Sequence, residues 1–108
     1  MLGTLYTDSL TLSDGVVIDE QSIGVVSGNN YADGILGLGP VALTVNTLVD
    51  EPTTLIPTII DNLVEQGAIS QRVISYFFAP FLDTAVAYGT ITFGGIDPAN
   101  HAGPITYT

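Results

Sequence analysis

The stretch Asp33-Gly34-Ile35-Leu36-Gly37-Leu38-Gly39 constrains the chain more than any other. Two bulky aliphatics followed by glycine, with further glycines on both sides, describe a short strand whose backbone is approached closely by something else. Glycine weakens a strand through backbone entropy and lost packing, so several at fixed places indicate bulges, tight bends or backbone contact. A phosphate-binding loop is the first functional alternative. The order here is Gly-x-x-Gly-x-Gly, the reverse of the dinucleotide fingerprint. No Lys-Ser/Thr follows, and Pro40 keeps a helix from springing directly off the turn. The stretch reads as architecture rather than as a nucleotide cradle.

Charge narrows the partners. Eleven acidic side chains face one arginine and no lysine, a formal charge of -10. Phosphate binding needs cations, so nucleic acid and anionic membrane surfaces are excluded as natural partners. Unperturbed Asp and Glu titrate near about 3.9 and 4.3. At acid pH most of the eleven become neutral, leaving Arg72, His101 and the amino terminus as the positive groups. Such a chain escapes the positive self-repulsion that unfolds ordinary proteins in acid. The composition suits an acidic workplace; it equally suits a surface made acidic for solubility.

The 108 residues make one domain or less, and a chain of this size buries roughly 65% of its unfolded surface. Hydrophobic content of 46% argues for a packed chain rather than disorder. No apolar run approaches the roughly 20 residues of a membrane helix. The start, Met1-Leu2-Gly3-Thr4, has no basic region and no long apolar run, so no signal peptide is expected within these residues. Without cysteine there is no disulfide framework or thiolate metal site, and the redox compartment stays open.

Along the chain, residues 5–12 alternate loosely, with Leu10 and Leu12 on one face. Ser13-Asp14-Gly15 is a hairpin turn signal, and residues 16–26 return as a β-branched-rich run. The glycine-rich strand follows a loop at Ser27-Gly28-Asn29-Asn30. Residues 41–55 carry no clear periodicity and read as irregular. One helix is well signalled near 57–66: Ile56, Ile59, Ile60, Leu63 and Val64 recur at helical spacing. Pro57 suits the first turn and Gly67 the stop, with Asp61, Glu65 and Gln66 on the opposite face. Residues 72–78 form the next strand, 80–88 a hairpin loop, 89–93 a further strand, and 105–108 the start of another. The fold class is mainly β with one short helix packed on a sheet.

Three of these segments carry a family resemblance. Asp33 to Gly39 resembles the Asp-Gly-Ile-Leu-Gly-Leu segment of pepsin-like aspartic peptidases, particularly the secreted fungal ones. Gly89-Thr90-Ile91-Thr92-Phe93-Gly94-Gly95-Ile96-Asp97 is similar to that family's Gly-x-Leu-x-Phe-Gly-Gly-Ile-Asp. Between them, Ile56-Pro57 through Asp61-Asn62-Leu63 to Gln66-Gly67 matches the family's helix of proline, Asp-Asn-Leu and Gln-Gly. The motifs stand in family order and the resemblance covers essentially the whole chain. It implies a partial pepsin-like lobe with barrel-like sheet packing, residues 1–108 being the later part of the N-terminal lobe.

The resemblance also shows what is missing. Aspartic peptidases use two carboxylates that share a proton, one activating water and the other donating a hydrogen bond; two anions that close cannot both ionise, and the family is the usual illustration of that splitting. Each family carboxylate sits in Asp-Thr/Ser-Gly, and neither motif occurs here. Asp83-Thr84-Ala85 comes nearest, with alanine for glycine, and falls in the hairpin loop. Tyr6-Thr7-Asp8 does not fit the family's flap tyrosine, so residues 3–12 correspond to the strand leaving the flap. No catalytic residue is expected among the 108, and the chain alone is expected to be inactive. The full protein implied is an aspartic endopeptidase cleaving polypeptides at acid pH, extracellular, needing no cofactor. Its missing partners are the flanking segments of its own lobe and the C-terminal lobe. The alternative is a non-catalytic pepsin-fold binding or inhibitor-like protein.

By the same resemblance, the Ile-Leu-Gly strand crosses beneath the first catalytic loop, and its glycine admits that loop's backbone. Ile35 and Ala32 then line the pockets for substrate residues on the amino side of the scissile bond, ordinary core being the other reading of Ile35. Leu36 is expected in the core, Asp33 as an anchor for backbone amides, and Asp97 before Pro98 as a turn residue. Other constellations fail. His101 is alone in a loop, no second histidine or cysteine completes a transition-metal site, and Asp14, Asp19 and Glu20 lack calcium-loop spacing. No Gly-x-Ser-x-Gly elbow and no Asn-x-Ser/Thr acceptor is present. Unpaired edges and exposed core are expected to make the isolated chain associate.

Overall fold

The computed structural model describes residues 3–28, 34–80 and 89–106. The chain divides into two compact units, Met1–Ala68 and Ile69–Thr108. It is mainly β with one short helix, as the sequence predicts.

In the first unit β1 (Gly3–Ser13) and β2 (Val16–Val26) form an antiparallel hairpin in which Gly3 faces Val26 and Ser13 faces Val16. Its turn is where the sequence puts it, and Gly15 adopts φ of 77°, a backbone that L side chains rarely take. Leu10 and Leu12 are half-buried while their β1 neighbours are exposed, so the expected face is the inner one.

The hairpin ladder shifts register in two places, between Asp8 and Leu10 and between Thr11 and Ser13, and the first is the instructive one. Asp8 faces Gln21 but Leu10 faces Ile18, so Ser9 alone spans the two residues Asp19 and Glu20. That is a one-residue bulge in β2. In a regular strand residues alternate between faces, and positions three apart point opposite ways. The bulge's extra residue restores the phase, and Ile18 and Gln21 are both buried on the inner side.

Helix α1 (Ile59–Glu65) packs on β2. Thr58 is its N-cap and forms a capping box with Asp61, whose Oδ2 accepts from the Thr58 N–H at 3.1 Å and from its hydroxyl at 2.8 Å. The helix thus begins two residues after Pro57, because the cap rather than the proline sets its start. At the other end Gly67 has φ of 74°. Its N–H donates to Val64 O at 3.0 Å, and Ala68 N–H to Leu63 O at 2.9 Å, the two bonds of a Schellman stop. Ile59, Ile60 and Leu63 from α1 join Ile18 from β2 as the buried apolar core of the described residues. Fully burying each such side chain stabilises by about 1.5–3 kcal/mol.

Between hairpin and helix, residues 34–40 form no strand. The expected glycine-rich strand is corrected to an unpaired, mostly exposed segment, since no described residue supplies it with a ladder partner. Residues 41–55 are irregular as expected, apart from a 3₁₀ turn at Val41–Thr44. Thr44 stitches that region: its hydroxyl donates to Val41 O at 2.7 Å and accepts from the Ile56 N–H at 2.8 Å.

The second unit is built on β3 (Ile74–Phe78) and β4 (Gly89–Phe93), paired antiparallel with Ile74 opposite Phe93 and Phe78 opposite Gly89. β3 starts two residues later than the sequence suggests, and of the expected loop at 80–88 all but Pro80 lies outside the described residues. Residues 105 and 106 are not in a strand. Gly94 turns the chain out of β4 with φ of 83°, its N–H donating to Val73 O at 2.7 Å. Asp97 then behaves as the turn residue expected of it, accepting from Ala99 N–H at 2.9 Å and from Asn100 Nδ2 at 2.6 Å.

Candidate functional site

The first unit holds an apolar groove of about 530 Å³. One wall comes from β2 at residues 21–24, the other from residues 35–37 and 39–40, and the 3₁₀ turn with residues 56–59 closes the far side. Ile35 and Leu36 both line it. Ile35 is 86% exposed and Leu36 49%. The expectation that Leu36 belongs to the core is therefore corrected: it lies on the groove surface, because nothing among the described residues covers this segment. Leu43, 72% exposed, stands on the same groove.

A Cβ built on Gly37 would meet nothing within 4 Å, which leaves the space that the resemblance assigns to a loop from outside these residues. Gly39 is the tighter position: its Cβ would lie 3.1 Å from Leu43 Cδ1. Glycine at 39 lets the 3₁₀ turn fold back against the segment and shape the groove's end.

The polar content of the groove is small and satisfied. Gln21 is buried, its Oε1 accepting from Asn62 Nδ2 at 3.0 Å and its Nε2 donating to Ser22 O at 3.1 Å. No buried side-chain polar atom among the described residues lacks a partner. Gln21 escaped the sequence reading because its inward direction depends on the bulge, and no residue type in Ile-Asp-Glu-Gln announces one.

Ala32, Asp33 and the Asp83-Thr84-Ala85 lookalike lie outside the described residues. Among the described residues no cluster of His, Cys, Asp and Glu could hold a metal, and no helix is long and apolar enough to cross a membrane. In the second unit a smaller cleft of about 250 Å³ is lined by Tyr76, Asp97, Asn100 and His101. His101 is exposed, its Nδ1 lying 3.1 Å from Gly103 O.

Comparison with known proteins settles the class. The family described as "Eukaryotic aspartyl protease" matches residues 1–108. The chain is 46% identical over 109 residues to polyporopepsin of Irpex lacteus, covering 98% of this chain and 32% of that protein. It is 31% identical over 112 residues to rhizopuspepsin-2 of Rhizopus niveus, covering 96% and 26% respectively. The crystal structure of aspartic proteinase from Irpex lacteus matches with a TM-score of 0.83 and 43% identity, over 94% of this chain and 30% of that one. The chain belongs to the eukaryotic aspartyl protease family and has its pepsin-like fold. It spans about a third or less of the length of these relatives.

Proposed function

We propose that residues 1–108 form the later part of the N-terminal lobe of an aspartic endopeptidase that hydrolyses polypeptides at acid pH. Both catalytic aspartates then lie outside these residues, since no Asp-Thr/Ser-Gly occurs within them. One carboxylate takes a proton from water as the water attacks the peptide carbonyl, while the other, protonated, donates a hydrogen bond to the developing oxyanion. The chain's own contribution is a wall of the substrate cleft. Ile35 and Ala32 contact substrate side chains on the amino side of the scissile bond.

The observation that carries this reading is the exposure of Ile35 on an apolar groove, in a chain whose family cleaves proteins. An aliphatic side chain left 86% exposed beside Leu36 and Leu43 is a surface awaiting an apolar partner. Among the relatives is a secreted aspartic protease 8 of Candida albicans. An extracellular site of action, where acid conditions suit a charge of -10 at neutrality, is part of the same proposal.

The test uses the chain joined to its natural flanks. Acid-dependent cleavage of a denatured protein, blocked by a transition-state-mimic inhibitor, is expected. Ile35→Ala should lower kcat/KM roughly tenfold for peptides with a bulky apolar residue on the amino side, the scale of a lost pocket contact. Flanks without the two aspartates, or no acid-dependent cleavage by the joined chain, would overturn the enzyme and leave a pepsin-fold binding protein.

A further inference from the structure

The helix motif includes Gln66, the C-cap of α1, and the structure gives that glutamine an unexpected task. The sequence places it on the helix face away from the sheet. Instead its Nε2 donates to Val17 O at 2.9 Å and its Oε1 accepts from the Asp19 N–H at 3.2 Å. A carbonyl and the amide two residues on are the pair that a neighbouring strand would engage. The side-chain amide thus takes the place of a peptide group on the edge of β2.

The position of those bonds matters. Val17 and Asp19 sit at the start of the β2 bulge, where Ser9 spans Asp19 and Glu20. One helical turn earlier, about 6 Å along the axis, Asn62 donates to Gln21 on the far shoulder of the same bulge. Two amides on one face of α1 therefore hold both sides of the extra residue. Released to a regular alternation, β2 would turn Glu20 toward the helix and Gln21 outward, and the order of side chains on the wall at residues 21–24 would invert.

We propose that Gln66, seconded by Asn62, is a positioning residue: it fixes the bulge in β2 and through it decides which β2 side chains line the substrate groove. The inference rests on the groove's proposed role in binding polypeptide. Its first readouts need no catalysis.

Two variants test it by NMR on the full chain. Gln66→Leu keeps the length and helix propensity but bonds nothing. The protection factor of the Asp19 amide should fall roughly tenfold or more, on the scale of two lost hydrogen bonds, and the Gln21–Asn62 side-chain contact should vanish. Gln66→Glu supplies a control inside one molecule. Protonated, its carboxyl still donates to Val17 O and accepts from Asp19; ionised, it has no donor and sets a negative charge against the Val17 carbonyl. The facing charged groups are Asp19 and Glu20 on β2, with Asp61 and Glu65 on α1, and residues 1–68 contain no basic side chain to offset them. Gln66→Glu should therefore keep wild-type Asp19 protection near pH 3.5 and lose it near pH 7.

An unchanged Asp19 protection factor in Gln66→Leu, a pH-independent one in Gln66→Glu, or a Gln21–Asn62 contact that survives Gln66→Leu would each overturn the clamp. The groove's role fails separately. If Ile35 substitutions leave peptide KM untouched in an active flanked protein, the groove is not the substrate wall, while the exchange signature of the clamp stands on its own.

Discussion

Gly94 shows how much one missing methyl carries. A Cβ there would lie 2.7 Å from both Cβ and Cγ2 of Ile69, at a φ of 83°. Clash and left-handed backbone act together, so Gly94→Ala should destabilise by about 1–3 kcal/mol, read as a lowered urea midpoint. Gly15, with the same backbone sign but open space around its Cβ, should tolerate Asn far better. A second residue-scale expectation concerns the α1 cap. Asp61→Ala removes an oxygen that accepts two bonds from Thr58 and should cost about 1 kcal/mol. Asp61→Asn should recover part of that in the same melt. Residues of this kind were legible in the sequence: Gly15, Gly67 and Asp97 act on backbone within a few positions of themselves.

At the scale of elements, α1 is the piece on which the first unit depends. Leu63 is fully buried, and the buried apolar residues around it are few. Leu63→Ala should cost about 2–5 kcal/mol, a large share of the about 5–15 kcal/mol that a domain possesses. Loss of cooperative unfolding by circular dichroism is the expected result. The helix could be read from its 3.6-residue period, yet its polar face could not. Asn62 and Gln66 match a solvent face in any helical projection, and their bonds run to residues 41 and 49 positions away. Hairpin β1–β2 was equally plain from its Asp-Gly turn, but its bulge was hidden. A bulge changes which residues point inward without changing their types.

For the whole molecule, what stands out is apolar surface. Ile35, Leu43, Val49 and Phe78 are each more than 70% exposed, and Tyr76 stacks on Phe78 with ring centres 6.4 Å apart on an uncovered face of β3. Single exposed aliphatics are ordinary, but contiguous ones are covered in stable monomers. The isolated chain should therefore associate, and charge should govern how strongly. At neutral pH a formal -10 keeps copies apart, while near the sequence pI of about 4.1 that repulsion disappears. Sedimentation velocity at pH 7 and pH 4 is expected to show a small species giving way to oligomers. A sharp monomer at both values would mean that the exposed surface is covered by some rearrangement of the chain. The mainly β class and family membership were legible because three motifs keep order and spacing over the whole chain. The groove was not, since it is a surface made by segments that meet only after folding.

The two amides of α1 also set a clock. The β1–β2 turn closes over two residues, whereas the bonds from Asn62 to Gln21 and from Gln66 to Val17 close loops of 41 and 49. Chain entropy delays the longer closures, and contacts distant in sequence slow folding. The hairpin should form first with its bulge unfixed, sampling both phases of β2, and the arrival of α1 should choose between them. Pulse-labelled hydrogen exchange would then find the cross-strand amides at Tyr6 and Ile23 protected early and the Asp19 amide late. In Gln66→Leu the late phase alone should disappear, leaving a strand that folds promptly and never decides which way it faces.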